Sequence, residues 1–432
     1  MKLALAFFLT TAVVLGADSF SSNIPLSFSQ AKRSKKPLIV SFYGIWCPAC
    51  NELEETVFES TDFLQKAKGF QLLKVDADAR NAWSIKDKYK VGGYPTVVFT
   101  NPSGDEIYRV VGYRSSQEFS RVMDLVMAAN GKNLENSCSS PDKDDLWRCA
   151  FVCTEKKDWK CADQAYKKLE TFLKPGTVRY EQARLYSVTR LETDESKRDG
   201  YERLLVECAD SPQALYWVLD YLKFFEGGEK KPPKKEILEK LVANYPKYKE
   251  DSRAAEAGVT LTDMSQIRAI LLDKLGRHEE AVAAWKEAAA LLEKLAQEMP
   301  KGTVARGFAL ERISCLEEAG DIDTALKLSN EYRQKFPKEF TFHYWSASLL
   351  ERAKRFNEAL PIAKEAYKFS YGDNKVRVAT LLVNLYATTP DRSSAKEIYD
   401  QVTKEIAPSG KLEVRTHRYL KKLEEAYKKV SG

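Results

Sequence analysis

The first third of the chain alternates short apolar runs with amphipathic stretches. Pro37 to Phe42 carries Leu38, Ile39, Val40 and Phe42 almost without interruption, as a central strand buried on both faces should. Before it, Ser27 to Lys36 reads as a short helix. After it, Pro48 to Lys68 reads as a longer one. Gln71 to Val75 is a second strand, and Arg80 to Tyr89 a helix ended by Lys90-Val91-Gly92-Gly93. Thr96 to Thr100 and Glu106 to Val111 are two further strands. The Asn101-Pro102-Ser103-Gly104-Asp105 segment between them has hairpin-turn residues. Ser115 to Ala129 closes the pattern as an amphipathic helix. A β-α-β unit, a helix, a hairpin and a helix predict an α/β domain with a mixed sheet covered on both faces.

The pattern then changes. Asn130 to Asp144 is polar, with Gly, Ser and Pro, and reads as a linker (131–144) after a domain of residues 18–130. From 145 to 432 apolar residues recur at helical spacing and nothing alternates at strand period. A short phrase repeats here. It appears as Gly276-Arg277-His278-Glu279-Glu280-Ala281, as Gly320-Asp321-Ile322-Asp323-Thr324-Ala325 and as Lys354-Arg355-Phe356-Asn357-Glu358-Ala359. A degenerate copy ends at Ala395, and an early one is Lys157-Asp158-Trp159-Lys160-Cys161-Ala162. The later alanines lie 44, 34 and 36 residues apart. A period near 34, a small residue where two helices touch, and Phe336-Pro337 closing a repeat resemble tetratricopeptide repeats. The fit is best for Leu261 to Ile406 and weak from Thr177 to Tyr248. Such pairs cannot bury their apolar faces alone, so they are expected to stack into an all-α solenoid, with Gly410 to Val430 as its terminal helix. The array then offers a protein-binding surface.

Composition adds limits. Of 432 residues, 44% are hydrophobic and 30% charged, which suits globular domains and excludes a disordered chain. The net charge of +6 is interspersed, so no nucleic-acid footprint is present. Lys2, the apolar stretch Leu3 to Leu15, and Leu15-Gly16-Ala17 read as a signal peptide of residues 1–17, cut after Ala17. No later stretch reaches membrane-spanning length. The mature chain is expected to be periplasmic or secreted, without a membrane span; an uncleaved N-terminal anchor is the alternative.

That address changes how the eight cysteines are read, because an oxidising compartment allows lasting disulfides. Cys138, Cys149, Cys153 and Cys161 allow three pairings. Cys153 and Cys161 flank a helix-hairpin turn, which favours that bridge and leaves Cys138 to tie the linker to Cys149. The competing reading is a four-thiolate zinc site, against which the spacing and the exported address both argue. A second redox relay is the third reading. Cys208 and Cys315 read as buried apolar thiols. His278, His343 and His417 are scattered. With no His/Cys nucleophile pair, metal cluster or phosphate loop, no cofactor and no metal are expected.

The central constellation is Trp46-Cys47-Pro48-Ala49-Cys50, where a buried strand gives way to a helix. A sulfur at a helix N-terminus meets unpaired backbone N–H groups and the positive end of the dipole, which favour the thiolate. Pro48 suits the first helical turn. Two intervening residues put Cys50 within reach of a mixed disulfide formed at Cys47. Glu54, one turn beyond Cys50, can face back toward that sulfur and help move its proton. Gly93-Tyr94-Pro95-Thr96 precedes the hairpin.

On these residues, 24–130 resembles the thioredoxin family. Cys47-Pro48-Ala49-Cys50-Asn51-Glu52-Leu53-Glu54, followed by Thr56-Val57-Phe58, is similar to the periplasmic thioredoxin domain of bacterial thiol:disulfide interchange proteins. The resemblance implies a thioredoxin fold, with Cys47 as nucleophile and Cys50 as resolving thiol. It implies Trp46 as flanking aromatic and Pro95 as a cis proline presenting the backbone of Tyr94 to an extended substrate. Glu54 matches a carboxylate position of that subgroup. One departure stands out: the family's buried Asp six residues before the first Cys is Ser41 here. A serine cannot act as base at neutral pH, so the proton of Cys50 must move through Glu54, water or another group.

The sequence thus predicts an exported thiol–disulfide oxidoreductase of reductase or isomerase type. Its partners would be protein thiols and disulfides, and its array would recruit a client or redox donor. The alternative is a periplasmic scaffold or assembly factor in which the redox domain is secondary.

Overall fold

The computed structural model describes residues 20–129, 138–139, 141–155, 157–225, 232–389, 391–406 and 414–431. The expected signal peptide and its cut lie outside them, as does most of the expected linker.

Four strands form the N-terminal sheet: β1 (Leu38–Tyr43), β2 (Gln71–Asp76), β3 (Thr96–Thr100) and β4 (Glu106–Val111). Their order is β2-β1-β3-β4, with β1 and β2 parallel and the other pairs antiparallel. As its apolar run predicts, β1 is central, and β3 lies beside it as the other inner strand. The side chains of β1 alternate between two cores. Leu38, Val40 and Phe42 face α1 (Ile24–Ser34) and α4 (Trp83–Lys88). Ile39 faces α2 (Pro48–Leu53), α3 (Thr61–Ala67) and α5 (Ser116–Ala128). Ser41 is two residues from Ile39, so it shares the α2 face.

The single helix expected from Pro48 to Lys68 is three pieces. α2 runs into a π turn over Glu54–Phe58, and α3 starts afresh behind Ser60, whose hydroxyl accepts from the Phe63 N–H. The new cap ends the first helix and lets the chain turn.

The remaining elements are helices. α6 (Lys143–Glu155), α7 (Trp159–Leu169), α8 (Val178–Thr189), α9 (Asp194–Glu207), α10 (Ala214–Leu222), α11 (Lys235–Glu250) and α12 (Arg253–Ala257) come first. α6 begins at Lys143, inside the segment expected to be linker. α13 (Leu261–Lys274) and α14 (His278–Glu298) form the first of the regular pairs. They are followed by α15 (Arg306–Glu318) with α16 (Ile322–Lys335), α17 (Phe340–Arg352) with α18 (Phe356–Phe369), α19 (Gly372–Ala387) with α20 (Arg392–Ile406), and α21 (Val414–Ser431). The repeated phrase is the turn inside each pair. Gly276, Gly320 and Lys354 hold φ of 74°, 75° and 58°, and the alanines that follow are buried. None of the helices among the described residues is long and apolar enough to cross a membrane.

The array does not trail away from the sheet. α15 lies directly on α2. A Cβ on Gly307 would stand 2.6 Å from the Glu52 nitrogen and 2.8 Å from the Pro48 oxygen, so only glycine allows this approach. The Glu55 carboxylate caps α15 from the N-terminal domain, accepting from the N–H groups of Arg306 (2.5 Å) and Gly307 (3.1 Å).

Candidate functional site

Cys47 is the N-cap of α2 and Cys50 lies in its first turn, where the two are joined as a disulfide with Cα atoms 5.2 Å apart. The Cys50 N–H donates to the Cys47 sulfur at 3.2 Å, so the helix end supplies a donor to that atom. The Asn51 amide ties the loop by donating to the carbonyls of Cys47 (2.7 Å) and Ile45 (3.1 Å). The Tyr94–Pro95 bond is cis. Trp46 and Tyr94 meet edge to face, and with Cys47 they line one cleft.

Glu54 is an ion-pair partner of Lys74, which sits in register with Ser41 across β1 and β2. Paired residues of neighbouring strands point to one face, so Glu54 brings a carboxylate to the row where Ser41 stands. Burial and the carboxylates of Asp76 and Glu54 push the Tyr43 hydroxyl up to about 12. Of the acids that share the cleft with Cys47, the one on α2 itself is Glu52, to which the sequence reading gave no role. Its burial, with Glu311, Asp263 and Glu55 nearby, pushes it up to about 8.

Other residues that hold the site also escaped the sequence reading. Trp46 donates its indole N–H to Asp78 at 2.6 Å, and Asn374 of α19 donates to the same oxygen at 2.6 Å. Arg415 of α21 pairs with Asp78 and Asp373 and lies 4.8 Å above the Trp46 ring. Tyr371 donates to Asp76 at 2.5 Å. On the other side, Arg306 donates to the Ile45 carbonyl at 3.0 Å. Thus the segment leading into Cys47 is gripped by α15 on one side and by α19 and α21 on the other. Contacts spanning more than 250 residues have no local sequence signal.

The second cysteine group is a cluster. Cys138 is joined to Cys149 and Cys153 to Cys161, and all four sulfurs lie within 4.8 Å of one another. Cys208 and Cys315 are free and buried; burial pushes their thiols up to about 11 and about 12.

Residues 24–127 match the family model described as a thioredoxin-like domain. A protein disulfide-isomerase of Triticum aestivum is 28% identical over 125 residues, 26% of this chain and 23% of the relative. The thiol:disulfide interchange protein DsbD of Klebsiella pneumoniae is 34% identical over 104 residues, 23% of this chain and 17% of the relative. The chain thus spans less than a quarter of these relatives' length. A tetratricopeptide repeat protein from Parabacteroides merdae is 13% identical with a TM-score of 0.38, over 65% of this chain and 98% of that one.

Proposed function

We propose that the protein is an exported thiol–disulfide oxidoreductase of reductase or isomerase type. The observation that carries this reading is the Cys47–Cys50 pair at the start of α2, with the helix end donating to the Cys47 sulfur. In the reduced protein, the Cys47 thiolate attacks one sulfur of a substrate disulfide. That S–S bond breaks, a mixed disulfide forms, and the leaving sulfur departs as a thiolate that takes up a proton. Cys50 then attacks the Cys47 sulfur and releases the second substrate thiol. Two electrons have passed to the substrate, and the pair is a disulfide again. An external dithiol restores it.

Roles follow from position. Burial of Cys50 means its proton must leave through a neighbouring group before it can attack. Glu54, held beside the Ser41 row by Lys74, serves as that group. Trp46, Tyr94 and Pro95 form the substrate-facing surface. The array recruits the client or redox partner. The two disulfides of the 138–161 cluster staple α6 to α7 and to the chain before them. The cell compartment is periplasmic or extracellular, in keeping with the leader-like start of the sequence.

The test is turnover of insulin disulfides with dithiothreitol as electron source. Wild type accelerates the reaction and Cys47→Ser does not. Equal rates would remove the enzymatic reading.

A further inference from the structure

Four sulfurs from three parts of the chain meet at the start of the array. Cys149 and Cys153 stand four residues apart on α6, Cys161 lies in the first turn of α7, and Cys138 comes from the segment before α6. In the oxidised chain they form two disulfides, Cys138–Cys149 and Cys153–Cys161. The sulfurs also approach one another across the two bridges. Cys138 stands 3.5 Å from Cys161, and Cys149 stands 3.8 Å from both Cys153 and Cys161. The fourth such pair, Cys138 and Cys153, lies within 4.8 Å.

Two bridges that only staple helices do not need this. Each sulfur then has to meet its own partner and no other. A tetrahedron of thiolates does need it. Zn–S bonds of about 2.3 Å put the sulfurs about 3.8 Å apart along every edge. Three of the four distances between the bridges already have nearly that value. Opening the two S–S bonds supplies the remaining two edges. The i, i+4 pair on α6 also has the spacing that sets two metal ligands on one helix face. The irregular spacing of the four cysteines along the chain is no obstacle, because the fold gathers them.

The surroundings select the cation. Among the described residues, no histidine or carboxylate joins the group, and Leu146, Ala150, Ala162 and Leu169 pack around it. A calcium or magnesium ion would find no oxygen ligands there, whereas four thiolates make a closed site for zinc. Zinc with four thiolates carries a net charge of −2. The N-terminus of α7 at Cys161 favours that charge, as does Lys168, whose ammonium group donates to the Cys138 carbonyl at 2.6 Å. Cys149 and Cys153 are buried, but Cys138 and Cys161 are only half-buried. Each bridge thus offers one sulfur to a reductant.

We propose that the cluster is a redox-gated zinc site, closed as two disulfides and binding one zinc ion through Cys138, Cys149, Cys153 and Cys161 once both are reduced. Two molecules of an external dithiol each reduce one bridge and become disulfides themselves. Four electrons and four protons pass to the cysteines. Zinc then displaces the four thiol protons to solvent as four Zn–S bonds form. Either state ties α6 to α7, so the start of the array stays joined under reducing conditions.

The experiment reduces the full chain with a phosphine in the absence of oxygen, removes the reductant and adds zinc chloride. One zinc per chain should survive gel filtration, against none for the chain with its bridges intact. Bound zinc should slow iodoacetamide labelling of all four cluster cysteines about tenfold and leave that of Cys47 unchanged, read by peptide mapping. This mapping needs no substitution, so it decides the matter even where a variant fails to fold. Cys47→Ser with Cys50→Ser should still retain one zinc, and Cys153→Ala with Cys161→Ala should retain none. A reduced wild-type chain that holds no zinc overturns the proposal. So does zinc that leaves labelling of the four cysteines unchanged, zinc held equally by the oxidised chain, or zinc lost with Cys47 and Cys50.

Discussion

The indole N–H of Trp46 donates to Asp78 at 2.6 Å, and Asp78 is in turn an ion-pair partner of Arg415, 337 residues further along the chain. The residue before Cys47 is therefore held by the last helix of the array. Burial raises the pKa of Asp78 against the opposing pull of Arg415. Removing that guanidinium leaves a buried carboxylate without its cation. Arg415→Ala is expected to lower stability by about 3 kcal/mol, read from the urea midpoint. In the reduced protein it should also speed alkylation of Cys47 by iodoacetamide, because the array loosens beside the site. Arg415→Lys should recover only part of both effects, since an ammonium cannot bridge Asp78 and Asp373 as the planar fork does.

Gly307 gives a second test of the same docking. A methyl group there would meet two backbone atoms, the Glu52 nitrogen and the Pro48 oxygen, which cannot turn aside as a side chain could. Gly307→Val is expected to destabilise the chain by about 2 kcal/mol, measured by denaturation. Limited proteolysis should cut it faster near α15. A neutral outcome would mean that α15 does not rest on α2 in solution.

The buried acids between α2 and the array predict how stability varies with pH. Glu52 is raised from 4.5 to about 8, chiefly by burial, and Glu55 and Glu311 are raised by the same cause. A raised carboxyl stays protonated in the folded chain while its unfolded counterpart ionises. Its stabilising effect is thus complete below the unfolded value and is lost as pH rises to the folded one. For Glu52 that window runs from 4.5 to about 8. Urea midpoints should fall across it, and Glu52→Gln should flatten the decline. A midpoint that rises with pH there, or a slope unchanged by the substitution, contradicts the buried placement of Glu52.

The four-cysteine cluster can be settled chemically. Peptide mapping under non-reducing conditions is expected to find Cys138 bonded to Cys149 and Cys153 to Cys161. Breaking one bridge by Cys153→Ala with Cys161→Ala should cost about 2–3 kcal/mol for so short a loop. Stoichiometric zinc in the purified protein, with four alkylatable thiols after its removal, would favour the metal reading instead.

Much of the fold was legible because its signals are local. The apolar run of β1 and the turn residues from Asn101 to Asp105 each announce their element. So does the repeated phrase that begins at Gly276, Gly320 and Lys354 and ends in an alanine. The helix after Cys50 was legible in place but not in form, since the cap at Ser60 competes with continued winding and wins. The enclosure of the site was not legible. Glu55 capping α15 and Arg306 holding the Ile45 carbonyl join segments that share no period and no motif. Glu54 illustrates both cases: its place one turn past Cys50 could be read, whereas its partner Lys74 came only from the register of β2 against β1.

The central claim is that Cys47 attacks disulfides and Cys50 resolves the product. Its most direct measurement uses reduced Cys50→Ala protein incubated with a disulfide-linked peptide reporter, followed by intact-mass analysis and peptide mapping. One adduct at Cys47, released by dithiothreitol and absent when Cys47 is also replaced by Ser, is the predicted result. No adduct at Cys47, or labelling confined to Cys208 and Cys315, would contradict the account.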